Sequence, residues 1–476
     1  MIIDKGLQYQ MLTEKQSEMI AESAYRILAN TGCEIRYEPA KKILAEKGCT
    51  VEGDLVKIPV ELSKWAVEQA PSELTLYTRD GKPAMELKPG NVYFGPAITV
   101  VQLKDYETGE LRRATKQDSV NAAIIMDQLE NLAWVSPFTS PNDVPAAVSD
   151  LSELYAILPN TNKPVMYWAQ GVETLKYQFE MFEAIGGSAE AIQEKPFMVN
   201  LVCPLDPLVH TEEGMSQLIY LAEKKSPAVY IAGVGFGLSG PATVAGSVAL
   251  GIADSLAGLV VAQCVNPGTP FVISKFSDNV DYRAMSVTHS NPEMQVALAA
   301  TADVFRYMKL PFCLNLGGST DNNRMDPVST FDSCTKYYTA LLSRSNMNFG
   351  MGSYQSGSYG MHEDFVFANE MIGFVKALVT GVEVDEESLA EDVIDEVGPG
   401  GNFLCEEHTL DHLYDFWQAD LMKPVTPRST DTRTIQEKLT ERVKELVANG
   451  SKHPLDPERQ AKLDEIMERA TRELVK

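Results

Sequence analysis

From Trp134 onward, short apolar runs recur roughly every 30 to 45 residues, the spacing of repeated strand-plus-helix units. The runs are "AWVSPF", "PVMYWAQ", "PFMVNLVCP", "AVYIAGVGFG", "PFVISKFS", "PFCLNLGGST" and "MNFGMGSYQSG". Helical stretches such as "TEEGMSQLIYLAEKKS" and "NPEMQVALAATADVFRYMK" fill the gaps. Pro164, Pro196, Pro270 and Pro311 each open a run, which a strand tolerates at its first position because that amide need not donate. Strands and helices alternating in this way form a parallel sheet. Seven units and a candidate eighth at "VIDEVGPGG" favour an α/β fold of the TIM (β/α)8 barrel type over a doubly wound layer.

The expected division is an N-terminal mixed extension over residues 1–130, the barrel over 131–403 and a helical segment over 404–476. In the extension, Ile20, Ala24, Ile27 and Leu28 share a helical face behind a Thr13/Gln16 capping box. A second helix spans about Pro39 to Lys47, and "NVYFGPAITVVQLKDYETGELRRAT" reads as a hairpin turning at Asp105–Gly109. The charged C-terminal stretches "TDTRTIQEKLTERVKELVANG" and "DPERQAKLDEIMERATREL" read as surface helices.

A net charge of −25 argues against nucleic acid or an anionic membrane as partner, since both need basic patches. The best apolar run, Val248 to Val265, is interrupted by Asp254 and Ser255 and reads as a buried helix rather than a span. The opening residues lack a basic-then-apolar signal. Seven scattered cysteines without a C-x-x-C pair fit free thiols. A cytoplasmic protein, homo-oligomeric like many large barrels, is expected.

"GVGFGLSGP" contains Gly235, Gly237 and Gly240 in the spelling G-x-G-x-x-G. A dinucleotide site also needs an acidic residue at the end of the next strand. That strand ends in Ser274-Lys275-Phe276, so NAD is disfavoured, and the glycines read as close backbone approach at the barrel mouth.

Barrel active sites collect at the C-terminal ends of strands. Those ends are rich in aromatics and amides and poor in bases, which suits a quaternary ammonium held by cation–π attraction. His362, expected to open a helix, adds a donor for a carboxylate. His408 and His412 are four apart but lack the third ligand and adjacent Glu of a metal site. No metal and no catalytic acid, base or nucleophile is assigned.

The ordered set of "LTEKQSEMIAESAYRILANTGCEI", "VKIPVELSKWAVEQAPSELTLYTRDG", "GLSGPATVAGSVALGIADSLAGLVVAQCVNPGTP" and "EVGPGGNFLCEEHT" resembles the trimethylamine methyltransferase family of corrinoid-dependent enzymes. The resemblance covers nearly the whole chain. It implies a TIM barrel that moves a methyl group from a methylated amine to the Co(I) corrinoid of a separate protein, with no cofactor bound tightly to the barrel. Founding members carry pyrrolysine after the sixth strand. The matching segment here, "GGSTDNNRMDP", has Asn322, Asn323 and Arg324 instead. This similarity to the pyrrolysine-free members implies a quaternary amine such as glycine betaine, proline betaine or carnitine.

On that basis Trp168, Phe236, Phe276, Tyr354 and Tyr359 are expected to cage the ammonium. Asn315, Arg324 and His362 are expected to anchor the carboxylate, and Gly235, Gly237, Gly317 and Gly318 to admit the corrin. The rival expectations are an NAD-dependent barrel dehydrogenase and a non-catalytic betaine-binding protein.

Overall fold

The computed structural model describes residues 6–283, 285–423 and 429–475. Its centre is a curled sheet of seven parallel strands. In spatial order these are Tyr93–Pro96, Met347–Met351, Phe312–Leu314, Phe271–Asp281, Ala228–Gly235, Met198–Val202 and Val165–Tyr167. Residues 133–135 touch both of its edges. The Ala133 N–H donates to the Phe94 carbonyl at 2.8 Å, and the Met166 N–H donates to the Val135 carbonyl at 3.0 Å.

Because strand side chains alternate between faces, each strand buries two layers. Tyr167, Tyr230, Ile273 and Leu314 belong to the large outer core shared with the helices. Trp134, Met166, Val199, Val229, Ile231, Val272, Cys313 and Met347 form a separate inner cluster. The hairpin Leu74–Tyr77 with Pro83–Leu87 adds Leu74, Leu76, Met85 and Leu87 to that cluster. It sits at the strands' N-terminal end, where the Tyr77 N–H donates to Pro196 O and the Arg79 N–H to Asn162 O, both 2.8 Å. One end of the curl is therefore plugged by side chains.

Three sequence expectations change. "VIDEVGPGG" holds no strand; Glu391–Val397 is helical and none of its residues is buried, so it cannot supply a core strand. The hairpin expected from Asn91 onward is shorter: Gln102–Lys104 pairs with Leu111–Arg113, while Tyr93–Pro96 joins the central sheet beside Met347–Met351. The C-terminal helices are less peripheral than their charge suggests. Ile435–Ala448 packs on His362–Val379, and Pro457–Leu474 packs on Val172–Gly186, burying Leu439, Val443, Leu446, Leu463 and Ala470.

Other expectations hold. Glu14–Asn30 is a helix with the Thr13/Gln16 capping box. The apolar helix Val244–Val265 is long enough to cross a membrane, but 89% of its most apolar window is buried inside the fold. Its Asp254 and Ser255 are buried too, accepting from the Leu208 N–H and donating to the Tyr230 carbonyl respectively.

Candidate active site

The inner face of the sheet leads from core to cavity in steps of two residues. Met166 is followed by Trp168, Val199 by Leu201 and Cys203, and Val229 by Ile231 and Gly233. Cys313 is followed by Asn315 and Met347 by Phe349. In each pair the first residue lies in the inner cluster and the later ones line a cavity of about 680 Å³ at the strands' C-terminal end. Phe276, two residues beyond Ser274 and four beyond Val272, lines it as well.

The walls differ in character. Trp168, Phe276 and Phe349 supply aromatic surface, and Asp206 and Glu213 supply acidic groups. His289, Asn315, Ser319, Ser353 and Ser356 add hydrogen-bonding groups. No lysine or arginine appears among the described lining residues. Behind Ser319 lies Lys336, whose ammonium donates to the Ser319 carbonyl and pairs with Asp332 at 2.9 Å.

Two buried acids support this lining. The Trp168 indole N–H donates to Glu153 Oε2 at 2.9 Å. Glu153 is fully buried, and burial pushes its carboxyl up to about 8. Behind Asp206, which accepts from the Gly233 N–H at 2.8 Å, lies the fully buried Asp254. Desolvation and the adjacent Asp206 hold the Asp254 carboxyl well above the usual carboxylate range. His289 packs its ring edge-on against Phe276, with centroids 5.2 Å apart.

The family model described as trimethylamine methyltransferase (MTTB) matches residues 1–475. The chain belongs to this family. Among its relatives, a glycine betaine methyltransferase of Desulfitobacterium hafniense is 30% identical over 98% of both chains. A proline betaine:corrinoid methyltransferase of Eubacterium limosum is 27% identical, over 94% of this chain and 95% of the relative. The crystal structure of the Methanosarcina barkeri monomethylamine methyltransferase superposes with a TM-score of 0.51 at 12% identity. It covers 96% of this chain and 87% of that one, a likeness of fold.

Within this trimethylamine methyltransferase family member, the sequence-derived site residues separate. Trp168, Phe276 and Asn315 come together in the cavity. The other five are not among its lining residues, each for a visible reason. Phe236 has the opposite strand parity from Ile231 and Gly233; it is buried, with its ring 5.9 Å from the Lys275 ammonium. Tyr354 and Tyr359 stack on one another at 5.6 Å, and the Tyr354 hydroxyl donates to Asp364 at 2.8 Å. Arg324 is exposed and turns to Asp326.

His362 does open a helix, His362–Val379, but the ring is fully buried between Tyr106, Phe138 and Phe365. Burial lowers its imidazole to about 4, so it is a neutral core residue. The neighbouring Asp364 accepts from the Gly352 N–H as well as the Tyr354 hydroxyl.

None of the four selected glycines lines the cavity, whereas Gly214, Gly233, Gly350 and Gly357 do. The Gly235 N–H donates to Ser239, and Gly237 and Gly240 bond within the same loop, leaving those amides engaged rather than open to a phosphate. Gly237 has a φ of 69°, and a Cβ there would sit 1.9 Å from the Tyr282 hydroxyl. Gly317 and Gly318 serve packing against Phe349 and Tyr337.

Parity along each strand would have found Leu201, Ile231, Gly233 and Phe349 from the sequence. Asp206, Glu213 and His289 reach the cavity from loops and helix starts, for which no period exists.

Proposed function

We propose that this protein moves a methyl group from a quaternary amine of the betaine class to a corrinoid carried by a separate protein. The observation that carries the reading is the lining: the aromatic Trp168, Phe276 and Phe349, the acidic Asp206 and Glu213, and a set of hydrogen-bonding side chains, with no lysine or arginine among the described lining residues. A quaternary ammonium gains from aromatic faces and from carboxylates without needing a hydrogen bond. Its carboxylate arm would meet His289, Asn315 and the serines. The betaine substrates named for two relatives favour the same class.

The corrinoid, when bound, supplies a Co(I) nucleophile for the methyl carbon. The chain's own contribution is to desolvate the ammonium, hold one methyl toward the open end and exclude water. Leu205 and Leu238 are exposed on rim loops and Val287 on the short strand Ser286–Thr288, a surface chemistry that fits the face of a flat macrocycle. The substrate needs no proton before the methyl group leaves, because the leaving nitrogen already carries its charge.

The closed (β/α)8 barrel belongs to this proposal. Support comes from residues 133–135, whose bonds to Phe94 and Met166 bridge the two sheet edges, and from the plugged inner cluster. The division at 130 and 403 is kept, with Tyr93–Pro96 lent to the barrel. So are a cytoplasmic homo-oligomer and the absence of a tightly held cofactor.

The test follows the spectrum of reduced corrinoid, free and on a cognate carrier, with the protein and glycine betaine, proline betaine, carnitine or trimethylamine. Methylation from a betaine and not from trimethylamine is expected. Methylation from trimethylamine alone, or from none with the carrier present, overturns the reading.

A further inference from the structure

The Asp206 and Asp254 side chains hydrogen-bond to each other, which two carboxylates can do only with a proton between them. Asp206 faces the cavity; Asp254 lies behind it on the helix Val244–Val265. Each also accepts a backbone donor: Gly233 N–H to Asp206 at 2.8 Å and Leu208 N–H to Asp254 at 2.7 Å. These amides remain in place whether or not the proton is present, so the pair can lose it and still be stabilised.

The groups packed around the pair do not compete for that proton near neutrality. Burial keeps the Cys33 thiol and the Tyr230 hydroxyl protonated, and the Cys203 thiol on the cavity wall is also raised. His210 is lowered to about 3 by burial; its Nδ1 shares a hydrogen bond with the Tyr230 hydroxyl at 2.7 Å, and its Nε2 stands 3.6 Å from Asp254. The other acid on the cavity wall is Glu213.

We propose that Asp206 is a catalytic residue that hands the proton shared with Asp254 to the tertiary amine once the methyl group has left. The inference rests on the methyl-transfer reading above. The methyl–nitrogen bond breaks with its electron pair staying on nitrogen, while the incoming nucleophile supplies the pair for the new bond to carbon. The nitrogen's lone pair takes the proton through Asp206, and both carboxyls end as carboxylates, held by Gly233 N–H and Leu208 N–H. The product is then an ammonium ion with no lone pair to take the methyl group back. Asp254 acts through Asp206 and is a positioning residue. The pair regains its proton from solvent once the product leaves.

Proton counting tests this without the corrinoid. Calorimetric titrations near pH 7.5, in two buffers of different ionisation enthalpy, compare a quaternary amine with its demethylated product. The pairs are glycine betaine with N,N-dimethylglycine and proline betaine with N-methylproline. Because the tertiary amine arrives already protonated, its binding should expel close to one proton, and the quaternary amine close to none. D206N should abolish that difference. Equal proton release by both ligands of a pair that bind overturns the proposal, and this comparison needs no variant. So does a difference that persists in D206N. Failure of every quaternary amine to bind overturns the methyl-transfer reading as well, whereas bound and transferred methyl groups without the proton difference overturn only the role of Asp206.

Discussion

The Trp168 indole N–H donates to Oε2 of the fully buried Glu153 at 2.9 Å. One aromatic wall of the cavity is thus fixed by an acid that never meets solvent. The bond orients the ring, and a desolvated polar partner of this kind is costly to remove.

Trp168→Ala should weaken betaine binding by about tenfold, in line with a desolvated cation–π contact of about 1–2 kcal/mol. Trp168→Phe should recover part of the loss. Calorimetric titration of the three proteins checks the order.

Glu153 sets a pH dependence of stability. Its carboxyl is raised from 4.5 to about 8, so between those values the folded protein binds more protons than the unfolded chain. Stability from this group is full below about 4.5 and is lost as pH rises toward 8. Glu153→Gln keeps an acceptor for Trp168 and removes the titration. The variant's melting temperature relative to the natural protein should be more favourable at pH 8 than at pH 5.

The two buried histidines act in the other direction. His362 falls from 6.5 to about 4 and His210 to about 3, so the unfolded chain takes up protons first as pH drops. Their stabilisation is present above 6.5 and lost progressively toward pH 4. His362→Ala should cost about 2–4 kcal/mol through the lost packing among Tyr106, Phe138 and Phe365. It should leave betaine affinity unchanged, as denaturant melts and titrations would show. A large loss of affinity at native stability would return His362 to the site.

Gly318 has a φ of 96°, and a Cβ there would stand 2.3 Å from the Tyr337 hydroxyl. Gly318→Ala should destabilise by at least about 2 kcal/mol, from backbone strain and overpacking together. The same substitution at the exposed Gly109, whose Cβ would meet nothing within 4 Å, should cost less, since only its φ of 75° opposes it. Thermal melts of both variants make the comparison.

Strand identity was legible because burial on both faces demands continuous apolar runs, and six of the sheet's seven strands could be read that way. The eighth unit was misplaced. "VIDEVGPGG" has apolar residues but too few to bury a strand, while Tyr93–Pro96 hid inside a hairpin signal and found its partner in Met347–Met351, more than 250 residues away. Local pattern cannot report a pairing at that distance.

The candidate site divides in the same way. Trp168, Phe276 and Asn315 could be chosen because strand ends and residue chemistry are properties of the sequence. Whether an aromatic near a strand end faces cavity or core depends on parity, which placed Phe236 wrongly, and on what packs above it, which buried His362 and paired Tyr354 with Tyr359.

By itself the sequence determined a parallel α/β architecture, its family and the chemical character of one cavity wall, because these follow from hydrophobic period and residue type. Only the tertiary structure decided which strands meet and that Asp206, from a loop, stands against Asp254, from the middle of an apolar helix. That juxtaposition needs a Gly233 amide, a Leu208 amide and a buried helix brought together from distant parts of the chain. A buried proton between two carboxyls is a property of the assembled fold, since solvent would separate and ionise them in the unfolded chain.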